Sequence, residues 1–413
     1  MFDILFGVFY FVLLYMSIFL LITIFNDGES SGRSSVPKEW PLVSIIIPAF
    51  NESATIGRVV KSALDMDYPE NKLEIIVVDD GSTDNTSSIV KKLHNSRIKI
   101  IRQEKKGKGA ALNLGLDNAK GAVMACLDAD SYVSRYSLKE MVVNFSSDKI
   151  AAVTPIMHVH NPKTLLEKVQ NIEYLLAVYL KKPLSHMNSI NVTPGPFSLY
   201  RTDILRKIGK FDEHSIVEDQ EIAYRIQENN YTIVQSDRGD VYTTAPKSLR
   251  ALYRQRKRWY KGSWLTFNKY RNIMLDRKYG DFGFFLMPNT LFGLLSCFFM
   301  LVFFAAYVLS PVFEILRHIY MAGLYINLGG YINIGDMLSN FIFFTDFYKI
   351  FILWTFAAIT TFTVIRSHKT LGQKIGLSET ASVAAFLFVY YMFISFVNVV
   401  STADLIRKDI QGW

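Results

Sequence analysis

Charge is missing from three long stretches of this 413-residue chain: residues 4–25, 282–313 and 380–403 contain no Asp, Glu, Lys or Arg. About 20 apolar residues are enough for a helix to cross the hydrocarbon core of a bilayer. Each stretch reaches that length, so each is expected to be a membrane helix. A fourth apolar segment, 347–365, holds only Lys349 as a charge, near its edge. Residues 318–335 are uncharged but rich in Gly and Asn, which fits a re-entrant or interfacial segment. The first stretch lacks a basic leader region and a clear small-residue cleavage site, and its apolar run is long for a signal peptide. A retained helix over residues 1–26 is therefore expected.

Charge also orients the chain. Residues 247–278 hold eleven Lys and Arg against one acid, Asp276. Cytoplasmic loops carry such an excess, so this stretch and the basic loop 366–374 are expected inside. Residues 26–281 then lie in the cytosol and the amino terminus outside, as in a multi-pass plasma-membrane protein. Basic residues facing anionic lipid account for the net charge of +8. No nucleic-acid-binding module is visible, and no nucleic-acid partner is expected. Cys126 and Cys297 have no spacing suited to a disulfide or a zinc site; they read as small buried apolar side chains.

Between the apolar stretches the pattern changes. Residues 27–40 are polar and rich in Gly and Ser, as in a linker. Strand-like runs at 43–47, 73–78, 98–101 and 122–127 then alternate with helix-like segments at 53–64, 83–93 and 110–119. This alternation predicts an α/β domain over 41–246, with a mostly parallel sheet covered by helices on both faces. Beyond 150 the pattern weakens: a strand at 151–154, a helix at 165–181, a turn-rich 191–200, a helix at 219–228 and a strand at 232–235. Basic interfacial helices over 247–281 and a membrane region over 282–413, with about three spans, complete the expected organisation.

Open α/β sheets bind ligands beyond the carboxyl ends of their strands. Phe50, Glu52, Asp79-Asp80 and Asp128-Ala129-Asp130 all fall at such ends. Two carboxylates one residue apart, Asp128 and Asp130, can offer oxygens to Mg2+ or Mn2+, which would bridge a diphosphate and stabilise a leaving nucleotide. Asp-x-Asp alone is a weak signal; its place after a fourth strand strengthens it. Asp79-Asp80 reads either as a turn and helix cap or as acceptors for a nucleotide's base and ribose. Lys108 sits on a glycine-rich loop entering a helix, where phosphate is favoured. Glu218-Asp219 opens a helix, where acids are stabilised anyway; beside a metal cleft, Asp219 becomes a candidate general base. In Gln255-Arg256-Lys257-Arg258-Trp259, an ordinary membrane-surface helix competes with a site in which Trp259 stacks on a sugar and Arg258 grips an anion.

Taken together, these residues resemble the inverting family 2 glycosyltransferases. The similarity is to the membrane-embedded processive branch that makes poly-N-acetylglucosamine, hyaluronan, chitin and cellulose. It covers roughly residues 41–265 and rests on the acidic clusters, on Gly107-Lys108-Gly109, and on Gln255–Trp259. It implies a nucleotide-sugar transferase (GT-A) fold, a UDP-sugar donor, a divalent cation, and a polysaccharide or lipid-linked acceptor. Asp80 would contact the nucleotide, with Lys108 nearby. Asp128 and Asp130 would hold diphosphate and metal. Asp219, beside Glu218, would be the base. Gly195, Gln255, Arg258 and Trp259 would form the acceptor gate. The bilayer and a small accessory membrane subunit complete the expected partners. Three departures stand out: Val217 replaces the usual Thr before Glu-Asp, the acceptor loop has an extra proline in Pro194-Gly195-Pro196, and only about four spans are evident, fewer than cellulose synthases have. The favoured activity is transfer of N-acetylglucosamine to a growing surface polysaccharide. Its rivals are single addition to a polyprenyl phosphate or lipid, and an inactive membrane binding subunit. A transporter is disfavoured because the apolar stretches lack charged residues to form a substrate path.

Overall fold

The computed structural model describes residues 2–26, 37–310, 313, 316–317, 320, 347–373 and 377–407. The Gly/Asn-rich segment at 318–335 lies outside the described residues apart from Tyr320, as does linker stretch 27–36.

One eight-stranded sheet organises the domain, in the order β3-β2-β1-β4-β7-β6-β8-β5. Its strands are β1 (Val43–Ala49), β2 (Leu73–Asp80), β3 (Ile98–Gln103), β4 (Val123–Cys126), β5 (Tyr132–Val133), β6 (Ile150–Val159), β7 (Leu199–Arg201) and β8 (Thr232–Thr243). β1 pairs in parallel with β2 and β4, and β2 with β3. The far half is mixed: β7 runs antiparallel to β4 and β6, and β5 antiparallel to β8. The sheet is thus less uniformly parallel than the alternation predicted. β5 and β7 span two and three residues, too short to show a period of two.

Side chains alternate across the sheet. Ile45, Ile47, Ile75 and Val77 join one apolar core, and Ile46, Ile76 and Val78 the other. The first core is covered by α2 (Ile56–Leu64), α3 (Thr86–Lys91) and α5 (Ser137–Val142). The second is covered by α4 (Lys108–Asn118), α7 (Thr202–Lys207) and α8 (Glu218–Glu228). Each fully buried Ile or Val contributes roughly 1.5–3 kcal/mol, so the strands cannot slip register without large loss.

Other α-helices among the described residues are α1 (Phe2–Asn26), α6 (Leu165–His186), α9 (Leu249–Lys269) and α10 (Met287–Phe304), followed by Phe347–Thr370, Leu377–Ala385 and Tyr391–Ile406. α6 opens on a capping box between Thr164 and Glu167, which satisfies two orphan backbone donors. Among the described residues, two helices, Phe282–Val302 and Thr380–Ile406, are long and apolar enough to cross a membrane by length and composition. α9 is fastened to the second of these. Trp264 Nε1 donates to Asn398 Oδ1 at 3.2 Å, and Lys257 and Lys261 pair with Asp404 at 2.6 and 3.0 Å.

Candidate active site

The ends of β1 and β2 are stitched together. Asn51 takes the left-handed conformation, φ 55°, and its Oδ1 accepts from Thr83 N at 2.9 Å. Asp79 turns to its own loop: Oδ1 accepts from Ser82 N at 2.8 Å and Oδ2 from the Ser87 hydroxyl. Asp80 faces the next loop, accepting from Gln103 Nε2 at 2.7 Å and from the amides of Lys106 and Gly107 at 2.8 and 2.9 Å. It thereby fixes the turn that aims Lys108. Phe50 stands exposed with Lys105 Nζ 4.1 Å from its ring centroid. Glu52 Oε2 accepts from Thr55 Oγ1 at 2.8 Å.

Lys108 is the centre of the cleft. Its ammonium lies 2.7 Å from Asp128 Oδ1 and 2.7 Å from Glu218 Oε1. Carboxylates 90 residues apart in the chain therefore share one cation. Gly195 closes the group: a Cβ there would come within 2.7 Å of both Asp128 Oδ2 and Lys108 Nζ. The loop carrying it is locked to α8, because Thr193 donates to the Asp219 carbonyl through its amide (3.1 Å) and hydroxyl (2.9 Å). Two residues on, buried Phe197 is held at φ 61°, a conformation that costs about 1–2 kcal/mol for an L-residue. Val217, the departure noted from sequence, is buried against α9. Gly262 must be glycine there, since its Cβ would lie 2.2 Å from Val217 Cγ2.

Electrostatics divide the carboxylates. Burial opposes ionisation of Glu218, but Lys108 and Arg258 outweigh it and hold its carboxyl below the usual range. Burial pushes neighbouring Asp219 up to about 6, helped by the charge of Glu218 and opposed by Lys108 and Arg258. Withdrawal from water within the cleft, with Asp128 and Glu52 nearby, likewise pushes Asp130 up to about 6. Burial also opposes the charge on Lys108, yet Asp128 and Glu218 hold its ammonium well above the ordinary lysine range.

Among the described residues, no three His, Cys, Asp or Glu side chains gather as a self-sufficient metal site. Asp128 and Asp130 supply hard oxygens whose mutual repulsion is one cause of the high Asp130 pKa. That set fits Mg2+ or Mn2+, which bind through one or two carboxylates and fill their shells with water and substrate phosphate.

Of the expected site residues, the cleft unites Lys108, Asp128, Asp130, Gly195, Glu218, Asp219 and Arg258, with Glu52 near Asp130. Arg258 also donates to the Ile216 carbonyl at 3.1 Å. Asp80 reaches this group through the 106–107 backbone. Asp79 points away into its own turn, and Gln255 accepts from Arg256 at 3.0 Å. Trp259 packs with Val159, Tyr174 and Ala245 beyond the ends of β6 and β8. Sequence reasoning missed Lys181 on α6, whose ammonium burial lowers to about 8 against the pull of Asp219. It also missed Tyr174 and Glu173. Nothing in an amphipathic helix marked any of the three.

Residues 44–209 match the model of glycosyl transferase family 2. The poly-beta-1,6-N-acetyl-D-glucosamine synthase of Staphylococcus epidermidis is 32% identical over 225 residues, covering 53% of this chain and 54% of that protein. The protein of the same name from Staphylococcus aureus strain COL is 31% identical over 224 residues, covering 53% and 54%. The chain thus spans about half the length of the curated relatives it matches. In fold, it is similar to the mannosyltransferase PcManGT from Pyrobaculum calidifontis, solved with GDP-Man and Mn2+. The TM-score is 0.58 at 16% identity, over 95% of this chain and 99% of that one. The sheet has the GT-A fold of that neighbour, and residues 44–209 are similar to glycosyl transferase family 2.

Proposed function

We propose that this chain is a membrane-bound inverting glycosyltransferase that moves N-acetylglucosamine from its UDP conjugate to a growing surface polysaccharide. One observation carries the reading: at the start of α8, Lys108 keeps Glu218 charged while Asp219 is left with a carboxyl near 6. A base of that strength is largely deprotonated at neutral pH and still takes up a proton readily. Asp219 accepts the proton of the acceptor hydroxyl, and that oxygen displaces the nucleotide in one inverting step. Lys108 and Arg258 set fixed positive charge where the leaving diphosphate gathers negative charge. Asp128 and Asp130 would hold Mg2+ or Mn2+; when bound, the ion neutralises diphosphate oxygens. Trp259 offers an aromatic face to the acceptor, with Gln255 and Gly195 shaping its approach.

Sequence similarity to the staphylococcal synthases supports the choice of sugar and polymer. The apolar helices Phe282–Val302 and Thr380–Ile406 support membrane attachment. With the basic stretch before them, they suit a multi-pass plasma-membrane enzyme whose domain faces the cytoplasm, with a small accessory membrane subunit as a candidate partner. The test is purified protein in detergent, labelled UDP-sugars, and Mg2+ or Mn2+. Elongated polymer is expected. UDP released by hydrolysis alone would refute polymerisation, and a chloroform-soluble product bearing one sugar would replace it with lipid glycosylation.

A further inference from the structure

Arg256 lies inside the Gln255–Trp259 segment, and the reaction above assigns it no task. Its side chain is 1% exposed, and arginine is almost never so buried unless paired. The guanidinium is ion-paired with Glu173 on α6. It donates to the Tyr390 hydroxyl from Nε at 3.2 Å and from Nη2 at 3.1 Å. Tyr390 in turn donates to Glu173 at 2.7 Å, closing a triangle. Three elements meet on this cation: α6, α9 and the apolar stretch Thr380–Ile406.

The same guanidinium lies 3.9 Å from the centroid of the Trp259 ring. Residues three apart on a helix are neighbours, and a cation over an indole face is attracted most strongly where water is excluded. Arg256 therefore occupies one face of the indole. Trp259 is still partly exposed, so its accessible surface lies on the other face or the edge. Tyr174, which packs with Trp259, stands within electrostatic reach of both Arg256 and the cleft residue Asp130.

We infer that Arg256 is a positioning residue for the acceptor: stacked on Trp259 and held by Glu173 and Tyr390, it fixes the indole surface against which the acceptor sugar lies. The inference rests on the glycosyl-transfer reading. It also ties the orientation of Trp259 to the apolar stretch Thr380–Ile406 through Tyr390.

Two variants separate positioning from simple structural support. Arg256→Met with Glu173→Gln removes both buried charges together, a change such sites often tolerate. Arg256→Lys keeps a charge for Glu173 but loses the planar stack. For both, the expected result is a melting temperature close to wild type, UDP release without acceptor within about twofold, a rise of about tenfold in acceptor KM, and shorter product. Full-length product at wild-type acceptor KM from either variant would overturn the inference. So would loss of acceptor-free UDP release in a variant that still melts normally, since the fault would then lie with the donor. Absence of sugar transfer by the wild-type protein itself would overturn the underlying reading, and the positioning role with it.

Discussion

Two acidic pairs in this chain look alike on paper and behave differently in the fold. Asp79-Asp80 ends a buried strand, and Glu218-Asp219 opens a helix. Hydrogen bonds engage both members of the first pair. Asp79 is held by Ser82 and Ser87, and Asp80 by Gln103 and two backbone amides. In the second pair Glu218 is ion-paired with Lys108 at 2.7 Å, while Asp219 accepts from the Gln220 amide at 2.9 Å. Burial and the charge of Glu218 raise Asp219 to about 6. The difference lies in who receives the donors. Donors shared between both members hold the first pair as scaffolding; the cation on Glu218 leaves Asp219 the weaker acid, the property the proposed reaction uses.

The largest expected effect is at Asp219. Asp219→Asn is isosteric and keeps an acceptor for the Gln220 amide, which now bonds Oδ1 at 2.9 Å. It removes the proton acceptor, so kcat should fall by about a hundredfold to ten-thousandfold. Donor affinity, measured by calorimetry with UDP, should stay near wild type. Retained turnover in this variant would end the distinction between the two pairs.

A smaller effect follows from pH. In the proposed reaction Asp219 must be deprotonated to act, and the Asp130 carboxyl, raised by burial and by Asp128, also sits at about 6. The rate should therefore rise with pH through a limb near 6, to which both carboxyls contribute. Below it the rate should drop about tenfold or more per pH unit. Lys108 holds Asp219 down, so Lys108→Met should move the limb to higher pH. A limb that stays in place or moves lower would mean that Lys108 does not set the base.

Much of this was legible before any coordinates. Buried β-branched runs ended by Asp marked the parallel half of the sheet and most of the cleft, because a strand covered on both faces leaves a continuous apolar signature. In the mixed half, β6 and β8 were legible in part, at 151–154 and 232–235, whereas the antiparallel strands β5 and β7 are too short to carry a period. Asp79 illustrates another limit: sequence groups it with Asp80, but their side chains point to opposite faces of the strand end. Glu173 and Arg256 illustrate a third. Their mutual partner, Tyr390, lies 217 and 134 residues away, and a helical Glu bound for a buried ion pair looks like any surface Glu.

The smallest expected effect returns to the first pair, at Asp79. Burial opposes its charge, but bonds from Ser87 and Ser82, with Arg102 at 3.8 Å, outweigh it and hold its carboxyl below the usual range. A carboxyl depressed in this way stabilises the fold above its unfolded pKa, near 4, and loses that contribution as pH falls through the folded value. Asp79→Asn should thus cost about 1–2 kcal/mol at pH 7, a deficit that shrinks toward pH 3. Thermal unfolding of the two proteins in detergent across that range reads it directly. The kinetic constants should not move, because Asp79 reaches the cleft only through the turn it supports. A kcat loss rivalling that of Asp219→Asn, with stability unchanged, would make Asp79 part of the chemistry and erase the contrast between the pairs.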